Sequence, residues 1–328
     1  MFEKWVLRRC ASAVCLAWAA ALALGLAAGA AAAAPLKVVA SFSVLGDMVS
    51  EIGGDHIELA TIVGPGGDVH AFEPTPQDVR TLAQARLLVV NGLGFEGWLP
   101  RLLAASGFAG RQVVASKGVA PRVLTQDEQD THASPGHDAG AAHDQTHRHV
   151  HAGVVDPHAW QSLANGMIYA RNIADGLAKA DPANAADYQS RAQRYIQQMK
   201  KLDAEVRQAL GAIPAERRKV ITSHDSLGYF GRDYGLRFIS LMGISSEAEP
   251  SARDVAVIVD QIRKQDKAAV FLEGAVSPRL VRQIARETGA QVGGTLYTDA
   301  LGAPDQPAGT YLGMFKWNAG QLIYALKP

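Results

Sequence analysis

The chain passes twice through one rhythm, in which short β-branched apolar runs alternate with helical stretches, and a helical block separates the two passes. Strands alternating with helices build βα units around a mostly parallel sheet. In the first pass the predicted strands are Leu36–Val44, Ile57–Val63, Leu87–Asn91 and Gln112–Ala115, with helices at Leu45–Ile52, Pro76–Gln84 and Gly97–Ala105. In the second, strands at Lys219–Ser223, Leu236–Leu241, Ala269–Leu272 and Gln291–Tyr297 alternate with helices at Ser226–Tyr234, Ser251–Lys264 and Pro278–Thr288. A last helix covers Thr310–Leu326. Between the passes, Trp160–Leu210 reads as helix, split where Asp181 suits a cap and Pro182 a first helical position. The second piece, Ala183–Leu210, would run about 40 Å at 1.5 Å per residue, which suits a rigid spine between two lobes.

The first residues belong to neither pass. Lys4, Arg8 and Arg9 precede an Ala/Leu-rich stretch from about Ala11 to Ala34, closed by small residues before Pro35. That is the build of a secretory signal peptide spanning residues 1–34, with cleavage expected near residues 31–34 and the mature chain in the periplasm. Both cysteines, Cys10 and Cys15, fall within it. A mature chain without thiols has no disulfide and no cysteine-based metal or redox site, although export permits disulfides.

Charge narrows the function. Removing Glu3, Lys4, Arg8 and Arg9 with the leader leaves a mature net charge of −2. A nucleic-acid partner asks for a basic face, so this balance argues against one.

The stretch 117–155 breaks the rhythm. It is polar and holds His132, His137, His143, His147, His149 and His151, six of the ten histidines in the chain. A loop of this length without regular structure is functional or disordered. His-rich tracts bind divalent metals by composition, and irregular spacing points to weak, auxiliary capture rather than one fixed site.

Outside that loop remain His56, His70, His158 and His224. His70 follows the turn Gly64-Pro65-Gly66-Gly67 after the second strand, and His224 directly follows the strand ending at Ser223. In open α/β sheets, ligands gather at the carboxyl ends of strands. His158 stands where the long loop gives way to helix, and Asp299 lies just past the strand ending at Tyr297. Three imidazoles and a carboxylate suit Zn²⁺. Each residue alone also has a plain structural reading: a hydrogen-bonded histidine at a strand end, or an aspartate closing a turn. His56 is read as structural. Asp68, Asp225 and Glu273 are the nearby candidates for acceptors that would fix the imidazole tautomers.

Four stretches carry a resemblance: residues 64–76 around His70, Asp156-Pro157-His158-Ala159-Trp160, residues 222–230 around His224, and Leu296-Tyr297-Thr298-Asp299-Ala300-Leu301. Gly243-Ile244 and residues 247–251 add to it. With these motifs the chain resembles the ZnuA/TroA-like metal-binding subunits of bacterial zinc and manganese ABC importers. The resemblance implies an α/β fold of two (β/α) lobes with mostly parallel sheets, joined by a long rigid helix, with the metal in the inter-lobe cleft. It divides the mature chain into an N-terminal lobe (35–182), a connecting helix (183–211) and a C-terminal lobe (212–328). His70 and His158 would come from the first lobe, His224 and Asp299 from the second. Relatives that resemble manganese carriers have Glu at the third position, so His224 favours zinc.

The expected protein is therefore not an enzyme but a monomeric carrier of one Zn²⁺, held near-tetrahedrally with Zn–N of about 2.0–2.1 Å. It would serve the membrane permease of an ABC importer, with a periplasmic metallochaperone left open as a further partner. The spine should confine metal exchange to local motion. The alternatives are a manganese or iron carrier of the same fold, a zinc hydrolase, and a zinc buffer or adhesin without an importer. The hydrolase lacks an H-E-x-x-H motif, and four protein ligands would close the position that a catalytic water needs.

Overall fold

The computed structural model describes residues 34–124, 153–240, 256, 259–260, 263, 269–273, 278–289 and 291–327. The leader, the six loop histidines, residues 243–244 and 247–251, and most of the predicted helix Ser251–Lys264 lie outside them. Among the described residues, no helix is long and apolar enough to cross a membrane.

Two four-stranded sheets organise the chain. The first is formed by β1 (Leu36–Phe42), β2 (Ile57–Val63), β3 (Leu87–Val90) and β4 (Arg111–Val114), in the order β2-β1-β3-β4. Its helices are α1 (Ser43–Gly53), α2 (Pro76–Gln84) and α3 (Leu99–Ser106). Every pairing is parallel. The inner strands are correspondingly apolar: in β1 only Lys37 is exposed, and β3, Leu-Leu-Val-Val, is buried throughout.

Two short strands follow, β5 (Arg122–Val123) and β6 (Val155–Asp156), paired antiparallel. Both lie within or at the edge of the stretch 117–155 that the sequence presents as loop. Two residues per strand are too few to show a period.

The second sheet contains β7 (Lys219–Thr222), β8 (Arg237–Ser240), β9 (Ala269–Glu273) and β10 (Gln291–Leu296), ordered β10-β9-β7-β8 and again parallel. Numbered within its own half, this is the first sheet's order over again. Helices α6 (Gly228–Tyr234), α7 (Pro278–Thr288) and α8 (Tyr311–Leu326) belong to this half.

Between the sheets run α4 (Leu163–Ala180) and α5 (Ala185–Gly211). At 27 residues, α5 is about 40 Å long. Its Tyr188, Ala192, Tyr195, Ile196 and Met199 make the buried stripe of an amphipathic helix. The helix is tied at both ends: Arg191 Nη1 donates to Glu51 O in the first half (3.3 Å), and Tyr234 Oη in the second donates to Asp203 Oδ1 (2.8 Å).

Local chemistry sets three of the helix starts. Thr75 and Asp78 form a reciprocal capping box ahead of Pro76, Ser162 Oγ accepts from Asn165 N, and Thr310 Oγ1 accepts from Gly313 N. Asp181 departs from expectation. Pro182 opens a 3₁₀ turn rather than α5, and the Asp181 carboxylate accepts from the Asn184 side chain and Tyr188 Oη instead of helix N–H groups.

Candidate metal centre

Each of the four candidate ligands follows a strand end, and each is fixed through a carboxylate or carbonyl beside it. Asp68 Oδ1 accepts from the backbone N–H of His70 (2.9 Å) and of Ala71 (3.3 Å), folding the segment after β2 into an Asx turn. From the residue just before α3, Trp98 Nε1 donates to Val69 O. The same Asp-x-His device recurs after β6: Asp156 Oδ1 accepts from His158 N and lies 2.9 Å from His158 Nδ1.

In the second half one carboxylate serves two ligands. Glu273, at the end of β9, accepts through Oε1 from Ser223 N (2.6 Å) and His224 N (3.2 Å). Its Oε2 accepts from Thr298 Oγ1 and makes an ion-pair contact of 2.6 Å with His224 Nδ1. Thr298 is the neighbour of Asp299, and its carbonyl accepts from Trp160 Nε1 (2.9 Å) and Gln161 Nε2 (2.7 Å), across from the first half.

These supports bring His70, His158, His224 and Asp299 together, with one possible ligand atom from each lying within 4.8 Å of the others. The imidazole centroids form a near-equilateral triangle: 5.6 Å for His70–His158, 6.0 Å for His70–His224 and 5.6 Å for His158–His224. Asp299 stands at the apex. Its Oδ2 lies 3.3 Å from His70 Nε2 and 2.9 Å from His224 Nε2, and its Oδ1 lies 3.5 Å from His158 Nε2. Ligand atoms around a tetrahedral zinc are separated by about 3.3 Å when bonds are about 2.0–2.1 Å, so small side-chain shifts would suffice. Phe95 closes one side, packing edge-on against both His70 and His158.

The site has the electrostatics of a cation receptor. His158, His224 and Asp299 are buried, and only His70 keeps partial exposure. Although burial opposes its charge, the Glu273 and Asp299 carboxylates hold the His224 imidazolium well above the usual histidine range. Burial likewise opposes ionisation of Asp299, yet His224 and His158 hold its carboxyl well below the usual range. His70 Nε2, His158 Nε2 and Asp299 Oδ1 have no hydrogen-bond partner. Buried polar atoms are normally paired, because leaving one unpaired costs about 1–3 kcal/mol. A divalent cation at their centre would satisfy all three. Beyond Asp299 opens a cavity of about 510 Å³ lined by Pro65, Gly66, Tyr297, Leu301 and Pro304. Gly66 N–H donates to Leu301 O at 3.0 Å, joining its rims.

His56 lies apart, 3.0 Å from Asp187, in keeping with a structural role. Of the three acceptors suggested by sequence, Glu273 does reach a ring nitrogen. Asp68 bonds the backbone of His70, and Asp225 lies 3.8 Å from Arg122 Nη1. Asp156 was missed, although the repeated Asp-x-His at 68–70 and 156–158 was a signal for it.

The chain matches the ZnuA family, zinc-uptake complex component A, periplasmic, over residues 38–325. It is 32% identical over 278 residues to the iron-binding protein YfeA of Yersinia pestis, covering 85% of this chain and 82% of that protein. It is 31% identical over 297 residues to the manganese ABC transporter substrate-binding lipoprotein PsaA of Streptococcus pneumoniae, covering 89% of each. Among solved structures it resembles the periplasmic zinc-binding protein TroA of Treponema pallidum, with TM-score 0.78, 28% identity, and coverage of 90% of this chain and 100% of that one. Three relatives thus carry the names of three metals.

Proposed function

The chain belongs to the ZnuA family of periplasmic metal-binding components of ABC transporters, and on that premise we propose that its cargo is Zn²⁺, held by His70, His158, His224 and Asp299. As a substrate-binding protein of a metal transporter it is not an enzyme, and its partner is a membrane permease with its ATPase.

One observation carries the choice of metal: three buried imidazole nitrogens face one carboxylate. A donor set of three neutral nitrogens and one oxygen suits zinc, whereas manganese favours more oxygen and higher coordination. The cation would replace the proton that His224 shares with Asp299 and occupy the unpaired valences of His70 and His158. Three neutral donors and one carboxylate reduce the ion's +2 to a net +1 within the buried site. Glu273 and Asp156 would orient His224 and His158, as acceptors behind metal-bound imidazoles do.

In this reading the protein is exported with cleavage near residues 31–34, acts as a monomer, and exchanges metal by local motion between lobes 35–182 and 212–328 that the helix 183–211 keeps from swinging wide. The histidines of loop 117–155 add weak capture.

The iron and manganese names of YfeA and PsaA support a second reading, a manganese or iron carrier on the same fold. Titrating the metal-free protein with Zn²⁺ in the presence of excess Mn²⁺ or Fe²⁺ separates the two. One equivalent of zinc bound despite the competitor is expected; displacement of zinc by a modest excess of either metal would establish the second reading.

A further inference from the structure

The two-strand ladder β5/β6 belongs to the first half by sequence but is held by the second. Tyr229, buried on α6, accepts at its hydroxyl from Arg122 N–H (2.8 Å) and donates to Asp156 O (3.1 Å), so one side chain grips both strands. The Arg122 side chain lies against the start of the same helix. A Cβ placed on Gly228 would stand 2.4 Å from the Arg122 guanidinium carbon, so the guanidinium packs directly on the helix start and would have to shift for any larger residue there.

Arg122 also faces acidic groups from both halves. Its Nη1 lies 3.0 Å from Asp156 Oδ2 and 3.8 Å from Asp225 Oδ2. Asp156 turns its other oxygen to His158 Nδ1, and Asp225 directly follows His224. A continuous path therefore runs from the first-half imidazole of His158 through Asp156 and Arg122 to the neighbour of the second-half imidazole of His224. Asp156 is fully buried and Arg122 partly so, with 15% of its side chain exposed. Water therefore screens the pair weakly.

We propose that Arg122 is a positioning residue that latches the two halves together behind the cargo and sets how fast the metal leaves. While the guanidinium bridges Asp156 and Asp225, the two imidazoles keep their spacing. When it lets go, β6 can withdraw from α6 and carry His158 with it. The latch touches no metal, so it acts on release rather than on the identity of the ligands. This inference rests on the metal site proposed above.

The test is stopped-flow transfer of Zn²⁺ from the loaded full-length protein to a chromogenic chelator, with the absorption spectrum of the Co²⁺-loaded form recorded alongside. Arg122→Gln should accelerate release by roughly 10-fold or more, the scale on which outer-sphere partners of metal ligands act. Arg122→Lys should recover part of the loss by restoring the charge without the fork. Tyr229→Phe, which leaves every charge in place, should accelerate release in the same direction. The Co²⁺ spectrum should stay that of the parent in all three. Unchanged release rates in soluble, folded Arg122→Gln and Tyr229→Phe proteins overturn the latch, as does an altered Co²⁺ spectrum, which would mean that Arg122 shapes the ligand set itself. A parent protein that takes up no zinc overturns the reading of the site and the latch together.

Discussion

Oε2 of Glu273 lies 2.6 Å from Nδ1 of His224, while its Oε1 accepts from the backbone N–H of Ser223 and of His224 itself. The carboxylate thus fixes the ring's position and directs Nε2 toward Asp299. Through Thr298 Oγ1 it also steadies the segment that carries Asp299. Glu273→Ala should lower zinc affinity about 10- to 100-fold and destabilise the protein by several kcal/mol, since buried donors lose their acceptor at about 1–3 kcal/mol each. Glu273→Gln keeps an acceptor and should lose less of both. Competitive titration and thermal melts report the two effects, and parent-like zinc affinity in Glu273→Ala would remove Glu273 from the account of the site.

His224→Glu replaces an imidazole by a carboxylate. It should weaken zinc at least ten-fold and raise manganese binding relative to zinc, because oxygen donors suit manganese and imidazole suits zinc. Parallel titrations with the two metals measure the ratio. A ratio unmoved by the change would remove His224 from the account of selectivity.

Asp47, which is not among the candidate ligands, predicts a pH dependence of stability. Its carboxylate, on α1, accepts from Tyr311 N (2.8 Å) at the start of α8 and from Tyr195 Oη (3.4 Å) on α5. Burial raises its pKa from 3.8 to about 6, against the opposing hydrogen bond from Tyr311. A raised folded-state pKa means that the native state binds the proton more tightly than the unfolded chain. The resulting stability is fully present below about pH 4 and is lost as pH rises through about 6, a change on the order of 2–3 kcal/mol. Asp47→Asn should therefore raise the melting temperature at pH 8 and have little effect at pH 4. The same gain at both values would show that ionisation is not the cause.

Deleting residues 131–151 removes all six loop histidines. One tight zinc site should survive, with the weaker binding events gone from the calorimetric trace. If tight binding disappears with the loop, its histidines are primary ligands and not an auxiliary arm.

Much of this fold was legible in the sequence because buried parallel strands write themselves as apolar runs. Ile57–Val63, Pro76–Gln84 and Pro278–Thr288 have the bounds read from sequence, since β-branched residues or an initial proline mark them. What escaped was set by particular side-chain contacts, some distant in sequence and some local. The ladder of Arg122–Val123 with Val155–Asp156 has no periodic signal and depends on Tyr229, 107 residues beyond Arg122. Asp181 looked like a helix cap, but Asn184 and Tyr188 compete for its carboxylate. The four candidate ligands stood out by residue type at strand ends. The resemblance implied their convergence, but not what holds them together: Glu273 and the contacts of Trp160 and Gln161 with Thr298.

X-ray absorption at the zinc edge of the protein loaded with one equivalent of Zn²⁺ examines the shared site most directly. The expected shell holds three imidazole nitrogens and one carboxylate oxygen at about 2.0–2.1 Å. A six-coordinate, oxygen-rich shell, or one with fewer than three imidazoles, would contradict it.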